Sequence, residues 1–287
     1  MDQGKMHMQV LTTIAELSRW LASATPPTGF VPTMGFLHKG HLSLVRRARD
    51  ENEMVIVSIF VNPTQFGPNE DFQDYPRDLS RDLGVLEEAR VDAVFTPTVD
   101  DIYPSGASTM IEVESLSNIL EGASRPGHFR GVATVVCKLF HVVQPNRAYF
   151  GEKDYQQLQV IRRMVHDLHM PVEVVGCPTI REPDGLAMSS RHVYLSQPQR
   201  EAAVALPQAL FRAKQLCIEG EHDVAKLQAE VHHRLANEPL IRPDYMAIVH
   251  PYTLQPLASV GLEGAVLCLA VWIGKTRLID NIRLGDG

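Results

Sequence analysis

The chain has no C-x-x-C pair. Its four cysteines, Cys137, Cys177, Cys217 and Cys268, are widely spaced, which argues against a structural zinc site. They read as reduced, mostly buried thiols of a cytoplasmic protein. No long Lys/Arg run occurs and the formal net charge is -7, so the electrostatic footprint of a nucleic-acid binder is missing. The longest apolar runs, Met54 to Val61 and Ala265 to Ile273, are too short to span a bilayer and suit buried strands. The N-terminus lacks a signal-peptide pattern; Met1 to Met8 is polar and methionine-rich, and no role is assigned to it. There is no internal repeat, no low-complexity segment and no G-x-G-x-x-G fingerprint. Gly35-x-x-x-x-Gly40 falls short of a P-loop because His41 and Leu42 stand where Lys and Ser/Thr are required.

What is present is an ordinary globular balance, 45% hydrophobic and 21% charged over 287 residues, enough for one large domain or two moderate ones. Strand candidates are Gly29–Thr33, Val55–Val61, Ala93–Thr96, Met110–Val113, Ala148–Phe150 and Val172–Val175. Helix-like segments lie between several of them: Leu42–Glu51, Asp78–Ala89, Val132–Val143 and Tyr155–Leu168. This alternation predicts an α/β fold, a parallel sheet with helices on both faces, with ligands beyond the carboxyl ends of the strands. The loop-type cluster Arg181-Glu182-Pro183-Asp184-Gly185 marks a break. Beyond it, helix-like Gln197–Ile218 and Asp223–Ala236 precede strand-like Tyr245–Val249, Ala265–Ile273 and Arg277–Ile282. The expected division is therefore 1–182 and a smaller α+β domain over 183–287.

Four polar clusters carry the chemistry. In Pro32-Thr33-Met34-Gly35-Phe36-Leu37-His38-Lys39-Gly40-His41-Leu42, two imidazoles three positions apart sit where a helix begins. A helix N-terminus offers free N–H groups and partial positive charge to a phosphate, and Gly40 permits close approach to the backbone. Asn62 and Gln65, at the end of the second strand, are neutral amides that can hold hydroxyls and a carboxylate. In Gly151-Glu152-Lys153-Asp154-Tyr155-Gln156-Gln157, a cation at a helix start opposes the helix dipole unless it neutralises phosphate. Gln157 lies one turn on, on the same face. Met188-Ser189-Ser190-Arg191 puts two hydroxyls and a guanidinium on one loop, suited to a triphosphate.

The first motif resembles the His-x-Gly-His signature of the nucleotidyl-transferring Rossmann superfamily. The fourth is similar to the Lys-Met-Ser-Lys-Ser loop that accompanies it. In this order and spacing the four clusters resemble the pantoate–β-alanine ligase (pantothenate synthetase) family. The resemblance includes Gly67-Pro68-Asn69-Glu70-Asp71-Phe72 with Tyr75-Pro76-Arg77, and Arg125-Pro126-Gly127-His128-Phe129 leading to Gly131 to Val136. In the C-terminal third only Asp244-Tyr245 and Arg277-Leu278-Ile279-Asp280-Asn281 match.

The resemblance implies a Rossmann-like sheet and an ATP-dependent condensation of pantoate with β-alanine. Pantothenate forms through a pantoyl adenylate, with release of pyrophosphate and AMP. By matching position, Met34, Gly35, Phe36, Leu37, His38, Lys39, Gly40 and His41 would cradle ATP, with Gly151, Glu152, Lys153, Asp154, Ile180, Met188, Ser189, Ser190 and Arg191. Catalysis would fall to His41 as an acid–base residue, to His38 and Lys153 as stabilisers of phosphate charge, and to Ser189, Ser190 and Arg191. Gln65, Gln157 and Asn62 would hold pantoate; Gln65 and Tyr75 would meet β-alanine. ATP would come with Mg2+, to which Asp82 would be an outer contact, and no tightly bound organic cofactor is expected. The implied partners are small molecules, with no nucleic acid or membrane and with a homodimer as the assembly. The 67–77 stretch and the 189–191 loop are expected as covers over a hydrolysable intermediate. His192 and His250 depart from the family's usual Asn and Asp. The rivals are a nucleotidylyltransferase of the same superfamily and a non-catalytic nucleotide sensor.

Overall fold

A computed structural model describes residues 7–68 and 70–285; Met1 to Met6 and Asn69, named above, lie outside the described residues. The elements of the larger part run β1 (Gln9–Leu11), α1 (Ile14–Leu21), β2 (Thr28–Thr33), α2 (Lys39–Glu51), β3 (Met54–Ile59), α3 (Leu79–Glu88) and β4 (Ala93–Phe95). Three short helices follow, α4 (Val99–Ile102), α5 (Glu114–Ser117) and α6 (Glu121–Ser124), then α7 (His128–Val143), β5 (Arg147–Gly151), α8 (Tyr155–Asp167) and β6 (Glu173–Cys177). The remainder is α9 (Gln197–Ala202), α10 (Ala205–Ile218), α11 (Val224–Ala236), β7 (Ile241–Val249), β8 (Ala265–Ile273) and β9 (Thr276–Leu284).

The first six strands form one parallel sheet in the order β1-β4-β3-β2-β5-β6. Alternation along each strand divides the core between the two faces. Val31, Val55, Val57, Val94 and Tyr149 pack beneath α2 and α3. Phe30, Ile56, Ala93, Phe95, Ala148 and Phe150 pack against α1, α7 and α8. Both faces being covered explains why these strands are almost wholly apolar. Strand order reverses between β2 and β5, so their carboxyl ends open a crevice, and Thr33 and Gly151 flank it.

The C-terminal strands make an antiparallel sheet, β7-β8-β9. Its middle strand reads as an unbroken apolar run because it too is buried on both sides. Leu267, Leu269, Val271 and Ile273 face the core built with α10 and α11, while Val266 and Cys268 join the core of the large sheet.

The parallel sheet with helices on both faces and the smaller α+β part agree with expectation; three particulars differ. Met110–Val113 is not a strand: the Ile111 N–H donates to Thr134 Oγ1 at 2.8 Å and the Val113 N–H to Ser117 Oγ at 3.3 Å, so side chains take the place of a sheet partner. The expected Gln197–Ile218 helix is broken at Ala203–Val204 into α9 and α10. β1 and α1 are not among the expected elements, although Thr13 and Glu16 form a capping box at the start of α1 and have the spacing of one in the sequence.

Candidate active site

Beyond β2 the chain turns through Gly35 at φ +84° and Phe36 at φ +50°. A side chain at Gly35 would sit 3.1 Å from Asp82 Oδ2. Asp82, buried in the first turn of α3, accepts from the Phe36 N–H at 2.6 Å and the Leu37 N–H at 2.8 Å. Both of its oxygens are therefore engaged by the loop, and burial pushes its pKa up despite those bonds. The expected outer contact of Asp82 to magnesium is corrected accordingly: the carboxylate clamps the histidine loop and does not face the cavity.

That clamp delivers two imidazoles to the start of α2. His38 is the N-cap, its Nδ1 accepting from the Gly40 N–H at 3.1 Å; His41 Nδ1 accepts from the His38 N–H at 3.3 Å. The pair is a capping box made of imidazoles, the rings 4.1 Å apart. A β-carbon at residue 40 would lie 2.8 Å from His38 Cε1, so glycine is what lets the ring fold back over the helix start. Burial, aided by Lys153 and His192, lowers His38 to about 4; burial, His38 and Lys153 lower His41 to about 3. Both rings are neutral at physiological pH. With each Nδ1 accepting, each ring carries its proton on Nε2 and is a donor there.

The second cluster divides its labour. Asn62 is buried and saturated: its Nδ2 donates to Gln65 Oε1 at 3.1 Å and Gly131 O at 3.2 Å, while its Oδ1 accepts from Tyr103 OH at 2.9 Å and from Thr64. Its amide has no free capacity for pantoate, so the expected ligand contact becomes a positioning one. Gln65 gains from this. With Oε1 held by Asn62, its amide NH2 lies toward Met34, whose Sδ it meets at 3.2 Å. Gln157 faces the same cavity from α8.

At the end of β5, Asn281 of β9 donates to the carbonyls of Glu152 and Lys153 at 2.9 and 2.8 Å. Its neighbour Asp280 holds Arg181 bidentately at 2.7 and 2.9 Å. The C-terminal sheet thus fixes the backbone beneath Lys153, whose Nζ is 3.9 Å from Asp154. Sequence reasoning noted Asp280 and Asn281 but gave them no task. In the fourth cluster Ser189 caps the 190–194 turn and Ser190 Oγ meets Tyr75 OH at 3.4 Å. Arg191 pairs with Asp71 through two bonds of 2.9 Å, and Tyr194 OH donates to Asp74 O at 2.8 Å. The two segments expected as covers are thereby tied to each other.

These elements enclose an inner pocket of about 230 Å3 that shares lining residues with a cleft of about 1390 Å3 between the C-terminal sheet and the loops and helix starts that face it. Met34, His38, Gly40 and His41 line the inner pocket from one side, with Asn62, Gln65 and Tyr75 from another. Gly151, Lys153, Asp154 and Gln157 face them, and Ile180, Met188, Ser189, Ser190 and Arg191 complete the rim. Gly35, Phe36, Leu37, Lys39, Glu152 and Asp82 line neither space. Leu37 is in the core, Lys39 is exposed, and Phe36 lies under the Arg81 guanidinium at 5.3 Å. Among the lining residues without a role in the sequence analysis are His128 and Arg125. His128 donates from Nδ1 to Gln65 O at 2.9 Å, and Arg125 clasps Glu70 at 2.6 and 2.8 Å; both stood in a motif already quoted for the resemblance. His250 accepts at Nδ1 from the Tyr252 and Thr253 N–H groups, as an Asp would in that turn, so its departure stays local.

Comparison with known proteins agrees with this geometry. The family model described as pantoate-beta-alanine ligase matches residues 9–283. A pantothenate synthetase of Chloroflexus aurantiacus is 56% identical over 98% of this chain and all of its own length; one of Thermotoga petrophila is 52% identical over 97% and 100%. The crystal structure of pantothenate synthetase from Thermus thermophilus superposes with a TM-score of 0.93 at 53% identity, covering 97% of this chain and 100% of that one. A pantoate-beta-alanine ligase from Francisella tularensis, crystallised with a βγ ATP ligand and β-alanine, gives 0.78 at 38% identity, over 96% and 97%. With the whole fold and the full span of the motifs matched, this chain belongs to the pantoate-beta-alanine ligase family.

Proposed function

We propose that the protein condenses pantoate with β-alanine at the expense of ATP. The pantoate carboxylate attacks the α-phosphorus and pyrophosphate leaves. The β-alanine amine then attacks the acyl carbon of the pantoyl adenylate and AMP leaves. The observation that carries this reading is the convergence, at the carboxyl ends of β2 and β5, of the His38 and His41 donors with Lys153 and Arg191 around one pocket that also holds Gln65 and Gln157.

An anionic carboxylate approaching a triphosphate is repelled, and donors aimed at the developing charge lower that barrier. Lys153, Arg191 and the two serine hydroxyls serve the phosphates. Sequence reasoning gave His41 an acid–base role. A neutral ring with Nδ1 already accepting favours a fixed donor role for both imidazoles at Nε2. Gln65 and Gln157 supply amide groups for the hydroxyls and carboxylate of pantoate, and Tyr75 borders the β-alanine position beside Gln65.

The donor set suits magnesium that arrives on ATP and neutralises phosphate charge. Asp154 is half-exposed in the pocket and is the carboxylate that would meet it. Phosphate oxygens and water would complete the coordination of such an ion. Residues 183–287 act as the closing part, working as the lever on Lys153 through Asn281. The same reading makes the enzyme a cytoplasmic homodimer; four buried cysteines with no disulfide among them suit a reducing compartment, and no helix among the described residues is long and apolar enough to cross a membrane.

The test is AMP release from ATP, pantoate and β-alanine, with each acid omitted in turn. Free AMP and pantothenate in equal amounts support the ligase. A product that retains AMP supports a nucleotidylyltransferase, and tight ATP binding without turnover supports a sensor.

A further inference from the structure

His192 sits one residue beyond Arg191 and lines the cleft together with Lys153 and Arg191. Its Nδ1 is 3.2 Å from Glu182 Oε1. A carboxylate only accepts, so Nδ1 carries a proton, and in the neutral ring Nε2 is a lone pair. No side chain or backbone group among the described residues bonds that Nε2. A lone pair there repels phosphate oxygens, whereas a protonated Nε2 donates to them with a full positive charge.

We propose that His192 is a proton-gated phosphate ligand, neutral in the free enzyme and protonated when the triphosphate lies along the 188–191 loop, with Glu182 holding Nδ1–H and Nε2–H turned to the phosphate. This rests on the assignment of that loop to ATP. The charged and titratable groups around the ring account for both states. From the 181–187 segment Glu182 favours the imidazolium. From α9 Arg200 opposes it, though it is itself drawn off by Asp184 at 2.7 Å and Glu182 at 3.6 Å. Lys153 and His38 oppose it from across the cleft, and Arg191 precedes it on its own turn. Asp280 of β9, which packs on this turn, is committed to Arg181. In the free protein burial and the cations prevail and the ring titrates below its ordinary range. A triphosphate brought among the same groups reverses that balance, and solvent supplies the proton.

The experiment is isothermal titration of the full chain with Mg–ATP in the absence of pantoate. It is run from pH 8 to 6 in pairs of buffers of unlike ionisation enthalpy, with wild type and His192→Asn. Asn keeps an N–H for Glu182 and lacks the titrating nitrogen, and protonation of ATP itself is common to both. Wild type is expected to take up as much as one more proton per site than the variant. Its affinity should gain up to about tenfold per pH unit relative to the variant as pH falls. Glu182→Gln, which keeps an acceptor but removes its charge, should take up fewer protons than wild type. Equal uptake with parallel affinity–pH profiles in all three overturns the proposal. Arg191→Ala separates the underlying assignment: weakened ATP binding in that variant retains it even if the His192 profiles are parallel, and undiminished binding removes both.

Discussion

Replacing Asp82 by Asn tests how the histidine loop is held. The carboxylate is 1% exposed and receives two loop N–H groups at 2.6 and 2.8 Å. An amide of the same shape keeps one acceptor and presents its own NH2 to the second N–H. One charge-assisted bond becomes neutral, and the other becomes a buried donor facing a donor. Bonds to charged groups contribute about 1.5–3 kcal/mol and a buried unsatisfied donor costs about 1–3 kcal/mol. The expected destabilisation is therefore about 2–4 kcal/mol. The activity should also fall, because Met34 and His38 hang from the released loop and a misplacement of ~1 Å can cost about a hundredfold. Urea denaturation measures the first effect; pantoate-dependent pyrophosphate release at graded magnesium measures the second. The clamp predicts lower stability, slower release and an unaltered magnesium dependence. Wild-type stability with a changed magnesium requirement would refute the clamp and return Asp82 to the metal.

Gly40→Ala should separate stability from function. Alanine favours the helix by about 1 kcal/mol, yet its β-carbon would meet His38 Cε1 at 2.8 Å and displace the ring that caps the helix, a loss of about 1 kcal/mol; a melting temperature near wild type with at least about tenfold slower pyrophosphate release is expected, and wild-type activity would count against the ring's placement. Lys153→Ala should fold and lose about a hundred- to a thousandfold in adenylate formation; near-normal pyrophosphate release removes Lys153 from the mechanism. The histidines set an acid limit. His38, His41 and His128 titrate in the folded protein at about 4, 3 and 4 against an ordinary 6.5, so the unfolded chain binds more protons between those values. Stability from these rings is present in full above pH 6.5 and falls with acidification, by about 2 kcal/mol per ring between pH 7 and 5. Urea midpoints that do not move over that range would contradict the buried neutral rings.

The strand–turn–helix around His38 and His41 was legible because an apolar run, a glycine-containing turn and a periodic helix follow one another in a single short stretch. The covered sheet was legible from its apolar strands. Asp82 was not, since in sequence it is an ordinary acidic residue in a first helical turn, and its loop partners lie 45 and 46 positions away. Asn62 looked like a ligand because sequence gives its amide but not the Gly131 and Tyr103 groups that saturate it. β1 has three residues, two of them exposed, too few to show a period. Met110–Val113 has the residues of a strand, but its backbone N–H groups are taken by the Thr134 and Ser117 hydroxyls, partners that the local pattern does not show. The pairing of Asp71 with Arg191 joins residues 120 apart, and nothing local announces it.

The central claim is that the converging donors make an acyl–AMP anhydride. Oxygen-18 placed in the pantoate carboxylate follows the bond: after turnover with ATP and β-alanine, the account predicts one labelled oxygen in the phosphate of AMP. Unlabelled AMP, or label in inorganic phosphate, would contradict it.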